Sequence, residues 1–404
     1  MCPNIINSRD FFPYLQNCPS DAIYFDNAAT TQKPISVIKK TYDFYAKKNG
    51  TVHRSVHELG SYATEQYEEV RLAIQQFISA QHSKEIVFTS GATESINLVA
   101  SAYKKFVGPN DVLLVSPVEH HSNLIPWQLL AKERGAIIKK IPLDQDMRVD
   151  LKGLKKILSR RVKLISINHV SNVTGISQDI KALVKEARLF NVPVFVDGAQ
   201  AAPHVKINVQ DLGCDFYCFS GHKMLAPTGT GVLFIRGSFL DSMEPYKTGG
   251  QMVSSVGFND SSWAEPPLKF EAGTPNISGI IGLGEALKFI NALEIDSIME
   301  HEKKLETFLG EELEKINGLT LYGGRYRAAP IFSFNVEGVH HYDLATMMSK
   351  KNIALRSGHL CNQGIMGLLG IEGCVRASLS FYNNNNEIEA FVRALKHVIK
   401  LLRK

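Results

Sequence analysis

The run Asp215-Phe216-Tyr217-Cys218-Phe219 stops at Ser220-Gly221-His222-Lys223, and a glycine-rich turn, Pro227-Thr228-Gly229-Thr230-Gly231, leads into a second apolar run ending at Ile235. Short aromatic and β-branched runs bounded by small residues read as buried strands. Lys223 therefore sits just past the carboxyl end of a strand, where ligands bind in open α/β sheets. Most lysines are solvated surface charges. One placed there faces a cleft, where its amine can bond covalently to a carbonyl group.

Outward from this stretch the same pattern repeats. Glu85 to Thr89, Val112 to Ser116, Lys163 to Asn168 and Pro193 to Asp197 read as strands, and helical spacing fills Glu94 to Phe106, Leu124 to Arg134 and Asp179 to Phe190. Such alternation predicts an α/β domain with a largely parallel sheet covered by helices on both faces. After Pro275 the pattern predicts a long helical stretch from Gly279 to Ile316, a strand from Ala329 to Val336 and an amphipathic helix from Glu387 to Leu402. These form a second, α+β domain. Ile388, Phe391, Val392, Leu395, Val398 and Ile399 give the last helix a packing face rather than a membrane anchor. The expected division is 21–290 for the large domain and 291–404, with 1–20, for the small one. Asn383 to Asn386 reads as a turn and helix cap.

With 404 residues, 44% hydrophobic and 21% charged, the chain can fill the cores of two such domains. Its net charge of +5 comes from 45 basic and 40 acidic residues mixed along the chain, so no nucleic-acid partner is expected. No apolar run has the length of a bilayer crossing. Met1 to Asp10 has neither the apolar core of a secretory leader nor the Arg and Ser richness of a transit peptide, so a cytoplasmic location without a membrane partner is expected. Cys2, Cys18, Cys214, Cys218, Cys361 and Cys374 are too few and too irregular for a disulfide framework and fit free thiols in a reducing compartment. Cys214 and Cys218 flank Asp215-Phe216-Tyr217 with no second pair or histidine cluster nearby. Buried strand cysteines are expected there, and no metal.

The residues just past the other strands carry the chemistry. Ser90-Gly91-Ala92-Thr93-Glu94 comes after the first, where the N–H groups of the next helix make an anion site suited to phosphate. Glu119-His120-His121, His169-Val170-Ser171-Asn172 and Asp197-Gly198-Ala199-Gln200 come after the next three. His, Asn, Asp and Gln beside a phosphate site suit a flat aromatic cofactor with a ring nitrogen and a phenolic oxygen. Asp197 is a natural partner for that nitrogen.

Ser220-Gly221-His222-Lys223, with Asp197-Gly198-Ala199-Gln200 upstream, resembles the cofactor core of class V aminotransferase-like enzymes, and of the cysteine desulfurases in particular. The likeness runs over nearly the whole chain through Tyr24-Phe25-Asp26-Asn27-Ala28-Ala29-Thr30-Thr31, Val52-His53-Arg54 and Phe270-Glu271-Ala272-Gly273-Thr274-Pro275. It implies the pyridoxal-phosphate-dependent transferase fold type I, with a mostly parallel seven-stranded sheet sandwiched by helices and a smaller α+β domain. It implies pyridoxal 5'-phosphate carried by Lys223, with Asp197 at the pyridine nitrogen, His120 stacked on the ring, and Asn172 and Gln200 near the ring oxygen. Thr93, Ser220 and His222 would bind the phosphate. Thr274 would reach the phosphate of a partner subunit, which implies a homodimer. Arg376 would take the substrate carboxylate with its planar fork, and Arg356, His53 and Asn172 would line the substrate side. Cys361, in the polar loop that begins at Arg356, would accept sulfur from L-cysteine as a persulfide and leave L-alanine, so that Lys223, Cys361 and His120 carry the catalysis.

The short spacing from Cys361 to Arg376 resembles the desulfurase of the Suf iron-sulfur assembly system. It implies a protein sulfur acceptor of the SufE or SufU kind and a role in iron-sulfur cluster assembly. Three positions depart from the family's usual loop: Leu360 stands where a second histidine is common, Asn362 where a small residue is usual, and Gly364 where proline is frequent. Loop stiffness and exposure of the persulfide are the properties these departures affect. Two rivals share part of the reading, namely selenocysteine lyase or cystine β-lyase chemistry on the same scaffold, and a catalytically quiet scaffold that binds a sulfur-transfer partner. The intact lysine, aspartate and cysteine set stands against the second.

Overall fold

The apolar runs form strands buried on both faces, and the helices gather where those faces need cover. The computed structural model describes residues 4–5, 7–324 and 326–403; Cys2, grouped above with the free thiols, lies outside them. The central sheet has seven strands: β1 (Ile86–Thr89), β2 (Val112–Val115), β3 (Ile137–Lys140), β4 (Val162–Asn168), β5 (Val194–Asp197), β6 (Phe216–Ser220) and β7 (Gly231–Ile235). Their order across the sheet is β1-β7-β6-β5-β4-β2-β3, parallel throughout except for the pairs made by β7. Six of the strands match the predicted runs to within one residue. The seventh, β3, is an edge strand whose residues, apart from half-buried Ile138, are exposed, so it lacks the apolar signature.

Successive residues of each strand point to opposite faces. On β5, Phe195 joins Ile96, Val99, Leu113 and Trp127 on one side of the sheet, while Val196 joins Ile74, Leu114, Phe219 and Ile281 on the other. A second sheet, antiparallel, comprises β8 (Leu319–Tyr322), β9 (Ile331–Val336), β10 (Arg356–Gly358) and β11 (Cys374–Ser378) in the order β8-β9-β11-β10. The helix Asn385–Leu402 packs Ile388, Phe391, Leu395 and Val398 into its core. Asn384 and Glu387 form a capping box at that helix's start, so the polar asparagine run is the turn and cap expected.

The single long helix expected from Gly279 to Ile316 is two helices, Ile277–Leu293 and Ile295–Glu314, divided at Glu294, whose φ is +62°. The first is buried on nearly every side and lies against the helices Ile35–Lys47 and Glu58–Phe77. The second buries one stripe, including Ile298, Leu305, Leu309 and Leu313. Helical periodicity continues through the break, whereas the change of direction that sends each half to its own core leaves no apolar signal.

The opening segment is tied in twice: Ile23–Tyr24 pairs with Ile353–Ala354 in a separate two-stranded parallel sheet, and Asp26 bridges to Ser378 of β11 in the second sheet. Cys214, Cys218 and Cys374 are buried free thiols, Cys18 is half-buried and Cys361 is exposed. No helix among the described residues is long and apolar enough to cross a membrane.

Candidate active site

The carboxyl ends of the parallel strands and the loop after β10 enclose one cavity of about 540 Å³. Thr93, His120, Asn172, Asp197, Gln200, Ser220, His222, Lys223, Arg356, Cys361 and Arg376 all line it. Thr274 and His53 do not. Thr274 lines a neighbouring cleft with Ser90, Gly229, Lys247 and Asn276. His53 is turned to Glu68, with Nε2 2.9 Å from Oε1 and its ring edge-on to Tyr67.

One end of the cavity is built for an anion. A Cβ on Gly231 would come within 2.4 Å of Gly91 Cα, so only glycine there lets the turn after β1 lie on the start of β7. The helix Ala92–Ala102 begins at this contact, and Ala92 N–H donates to Ser220 Oγ at 2.9 Å. The Thr93 and Ser122 hydroxyls meet at 2.8 Å. Hydroxyls around a helix N-terminus suit a phosphate. Burial, with the Lys223 and Lys33 charges adding to it, lowers the His222 imidazole to about 4, which leaves it neutral at physiological pH. The His222 carbonyl accepts from Thr31 N–H at 3.1 Å and from Lys33 Nζ at 2.9 Å, fixing the turn that carries Lys223.

Lys223 keeps some accessible surface in the cavity wall. Burial lowers its amine to about 8, with Asp197 opposing the shift and Arg376 adding to it. Burial likewise raises Asp197, while Ala199 N–H at 2.9 Å and the Lys223 charge pull it back. A carboxylate so enclosed favours a cation beside it. Burial lowers His120 to about 4, with Lys223, His121 and Arg376 adding to it. Ser122 N–H donates to its Nδ1 at 3.1 Å, so the ring is neutral with its proton on Nε2, a flat face fit for stacking.

On the opposite wall, buried Arg376 donates from Nη1 to Asn172 O at 2.9 Å and pairs through Nη2 with Asp26 Oδ1 at 3.1 Å. Exposed Arg356 takes the other Asp26 oxygen at 3.2 Å. Asp26 therefore sets both guanidinium groups. In the sequence it is one residue of the opening segment, with no role of its own. Glu119, quoted with His120 and His121 in the sequence but given no role there, is buried next to His120 and accepts from Asn123 Nδ2 at 2.6 Å and from Asn168 N–H at 2.8 Å, bracing the ends of β2 and β4. Burial pushes its carboxyl up to about 8 against those bonds. Its only signal in the sequence is its place directly after an apolar strand.

Cys361 stands exposed at the cavity's mouth. Both Leu360 and Cys361 have φ of +54°, a left-handed conformation that costs a non-glycine residue about 1–2 kcal/mol. Neighbouring groups hold it: Asn172 Nδ2 donates to Leu360 O and His121 N–H to Cys361 O, each at 2.8 Å.

An anion cradle, a buried carboxylate, a neutral imidazole and a low-pKa amine together match the phosphate, ring nitrogen, ring face and aldehyde of pyridoxal phosphate. Fold and site define a pyridoxal-phosphate-dependent enzyme of the fold type I transferases. The family model described as aminotransferase class-V matches residues 23–391, and the chain belongs to that family. A probable cysteine desulfurase of Halalkalibacterium halodurans is 44% identical over 93% of both chains. The cysteine desulfurase CsdA of Escherichia coli superposes with a TM-score of 0.93 at 36% identity, covering 99% of this chain and 100% of that one. The apo cysteine desulfurase of Thermococcus onnurineus gives 0.94 at 38% identity, covering 99% and 98%. Within the family the chain falls among the cysteine desulfurases.

Proposed function

We propose that this enzyme takes the sulfur of L-cysteine, releases L-alanine and holds the sulfur as a persulfide on Cys361 for transfer to an acceptor protein. The observation that supports it most directly is that Lys223 and Cys361, far apart in the chain, line the same cavity.

Pyridoxal phosphate bound there supplies an electron sink for the substrate's α-carbon. Thr93, Ser220 and His222 would hold its phosphate, Asp197 its ring nitrogen, and Asn172 and Gln200 the region of its ring oxygen. Arg376 orients the substrate through a bidentate contact with its carboxylate, with Arg356 beside it. Lys223 Nζ, lowered to about 8, is unprotonated often enough at neutral pH to take the α-proton. The Cys361 thiolate attacks the substrate sulfur, so that an S–S bond forms as the C–S bond breaks and the carbon left behind gains a proton. Thiol plus L-cysteine becomes persulfide plus L-alanine, with no outside oxidant. Thr274, outside the cavity of its own chain, serves the partner's site in a homodimer. The compact cysteine loop suits hand-over to a SufE- or SufU-like protein for iron-sulfur cluster assembly in the cytoplasm.

The test is Cys361→Ala. It keeps the cofactor's visible absorbance and loses alanine release from L-cysteine, because the acceptor is gone and the electron sink is not. Selenocysteine, with a better leaving group, still yields alanine. Undiminished alanine from L-cysteine in this variant refutes the assignment.

A further inference from the structure

The three departures in the cysteine loop converge on one device. Asn362 has no accessible surface. Its Nδ2 donates to Val118 O at 2.8 Å and to Asn172 Oδ1 at 3.3 Å, and its Oδ1 accepts from Ile365 N–H at 3.2 Å to cap the helix Gln363–Leu369. One amide thus joins the segment leading to His120, a wall residue of the cavity and the helix after the loop. Asn172 closes the ring by donating to Leu360 O.

Gly364 allows this seating. A Cβ there would lie 2.1 Å from the backbone oxygen of Pro117, so any larger residue, proline included, pushes the helix start away by about 0.9 Å before even a 3.0 Å contact is reached. Leu360 is the apolar counterpart, buried against Val118, Val173, Ile365 and Met366.

We propose that Asn362 is a positioning residue for the Cys361 thiol and that Gly364 lets it act, replacing the stiffness a proline would lend with close seating and a buried amide. This rests on the reading of Cys361 as sulfur acceptor. Because Asn362 bonds the same Asn172 that lines the cavity, loop and cofactor wall move as one, and the strained backbone at Leu360 and Cys361 keeps the thiol at one place over the site.

Two substitutions test it in the holoenzyme, with Asn362→Ala, which loses the helix cap as well, as the comparison. Asn362→Asp keeps an oxygen for Ile365 N–H, and so the helix cap, but loses both Nδ2 donations. Gly364→Ala lifts the loop and removes no polar group. Two rates are read by mass spectrometry: Cys361 persulfide formation after rapid mixing with L-cysteine, and Cys361 alkylation by iodoacetamide without substrate. Both variants are expected to form persulfide about tenfold to a hundredfold more slowly, the scale of a displacement near 1 Å, while the released thiol alkylates severalfold faster. Wild-type persulfide rates in Asn362→Asp, with slow ones in Asn362→Ala, mean that only the helix cap matters and overturn the proposal. If Asn362→Asp binds no cofactor, Gly364→Ala decides, and a wild-type rate there overturns it equally. Full alanine release by Cys361→Ala would instead remove the parent reading, an outcome that neither loop variant can mimic.

Discussion

At pH 7 an amine lowered to about 8 is about 9% unprotonated, against about 0.03% at the ordinary 10.5, so Lys223 offers its lone pair roughly 300 times more often than a surface lysine. Burial is the largest cause of the shift, and of the charges beside the amine Asp197 opposes it most while Arg376 adds to it. Asp197→Asn therefore lowers the Lys223 pKa further, and Arg376→Met raises it. Reductive methylation of the apoprotein with formaldehyde, followed at the Lys223 peptide by mass spectrometry from pH 6 to 11, reads the neutral amine without involving the cofactor. Only the unprotonated form reacts, so the rate climbs tenfold per pH unit and levels off once the pKa is passed. The plateau comes near pH 8 in the wild type, earlier in Asp197→Asn and later in Arg376→Met. A wild-type rate still climbing tenfold between pH 9 and 10, or both variants shifting the same way, would refute the electrostatic account.

Arg376→Lys replaces a planar fork with a point charge; the KM for L-cysteine is expected to rise about tenfold or more, the cost of one charged hydrogen bond, with a smaller fall in kcat in steady-state assays. Asp26→Asn leaves buried Arg376 without its counter-charge. It should cost about 2–3 kcal/mol in urea unfolding, the exposed Arg356 adding little because solvent screens it.

What the sequence discloses depends on whether a property is local. β5 and β6 are legible because a strand covered on both faces reads as a near-continuous apolar run, and β4 keeps that reading despite Lys163, Ser166 and Asn168. The cavity residues after them are legible for a related reason: strand ends of a parallel sheet lie side by side, so the residues just past each strand belong to one surface. β3 escapes because an edge strand with one neighbour carries no such requirement, and Ile137-Ile138-Lys139-Lys140 passes for a surface segment. The break at Glu294 escapes because periodicity reports the twist of a helix and is silent about its axis.

Asp26 and Asn362 are hidden for a different reason. Each acts through partners more than 180 residues away: Asp26 on Arg356 and Arg376, Asn362 on Val118 and Asn172. An acid in an opening loop and an amide after a cysteine have many uses, and only the fold selects among them. Asn362 is visible in the sequence as a departure from the family's pattern, and a missing small residue there suggests a looser loop. Its complete burial argues the reverse, since a primary amide is excluded from water only where its donors and acceptor are met. In this chain Nδ2 meets two oxygens and Oδ1 one N–H, so freeing the loop means breaking three bonds to buried groups at once, and the departure that reads as lost stiffness supplies it.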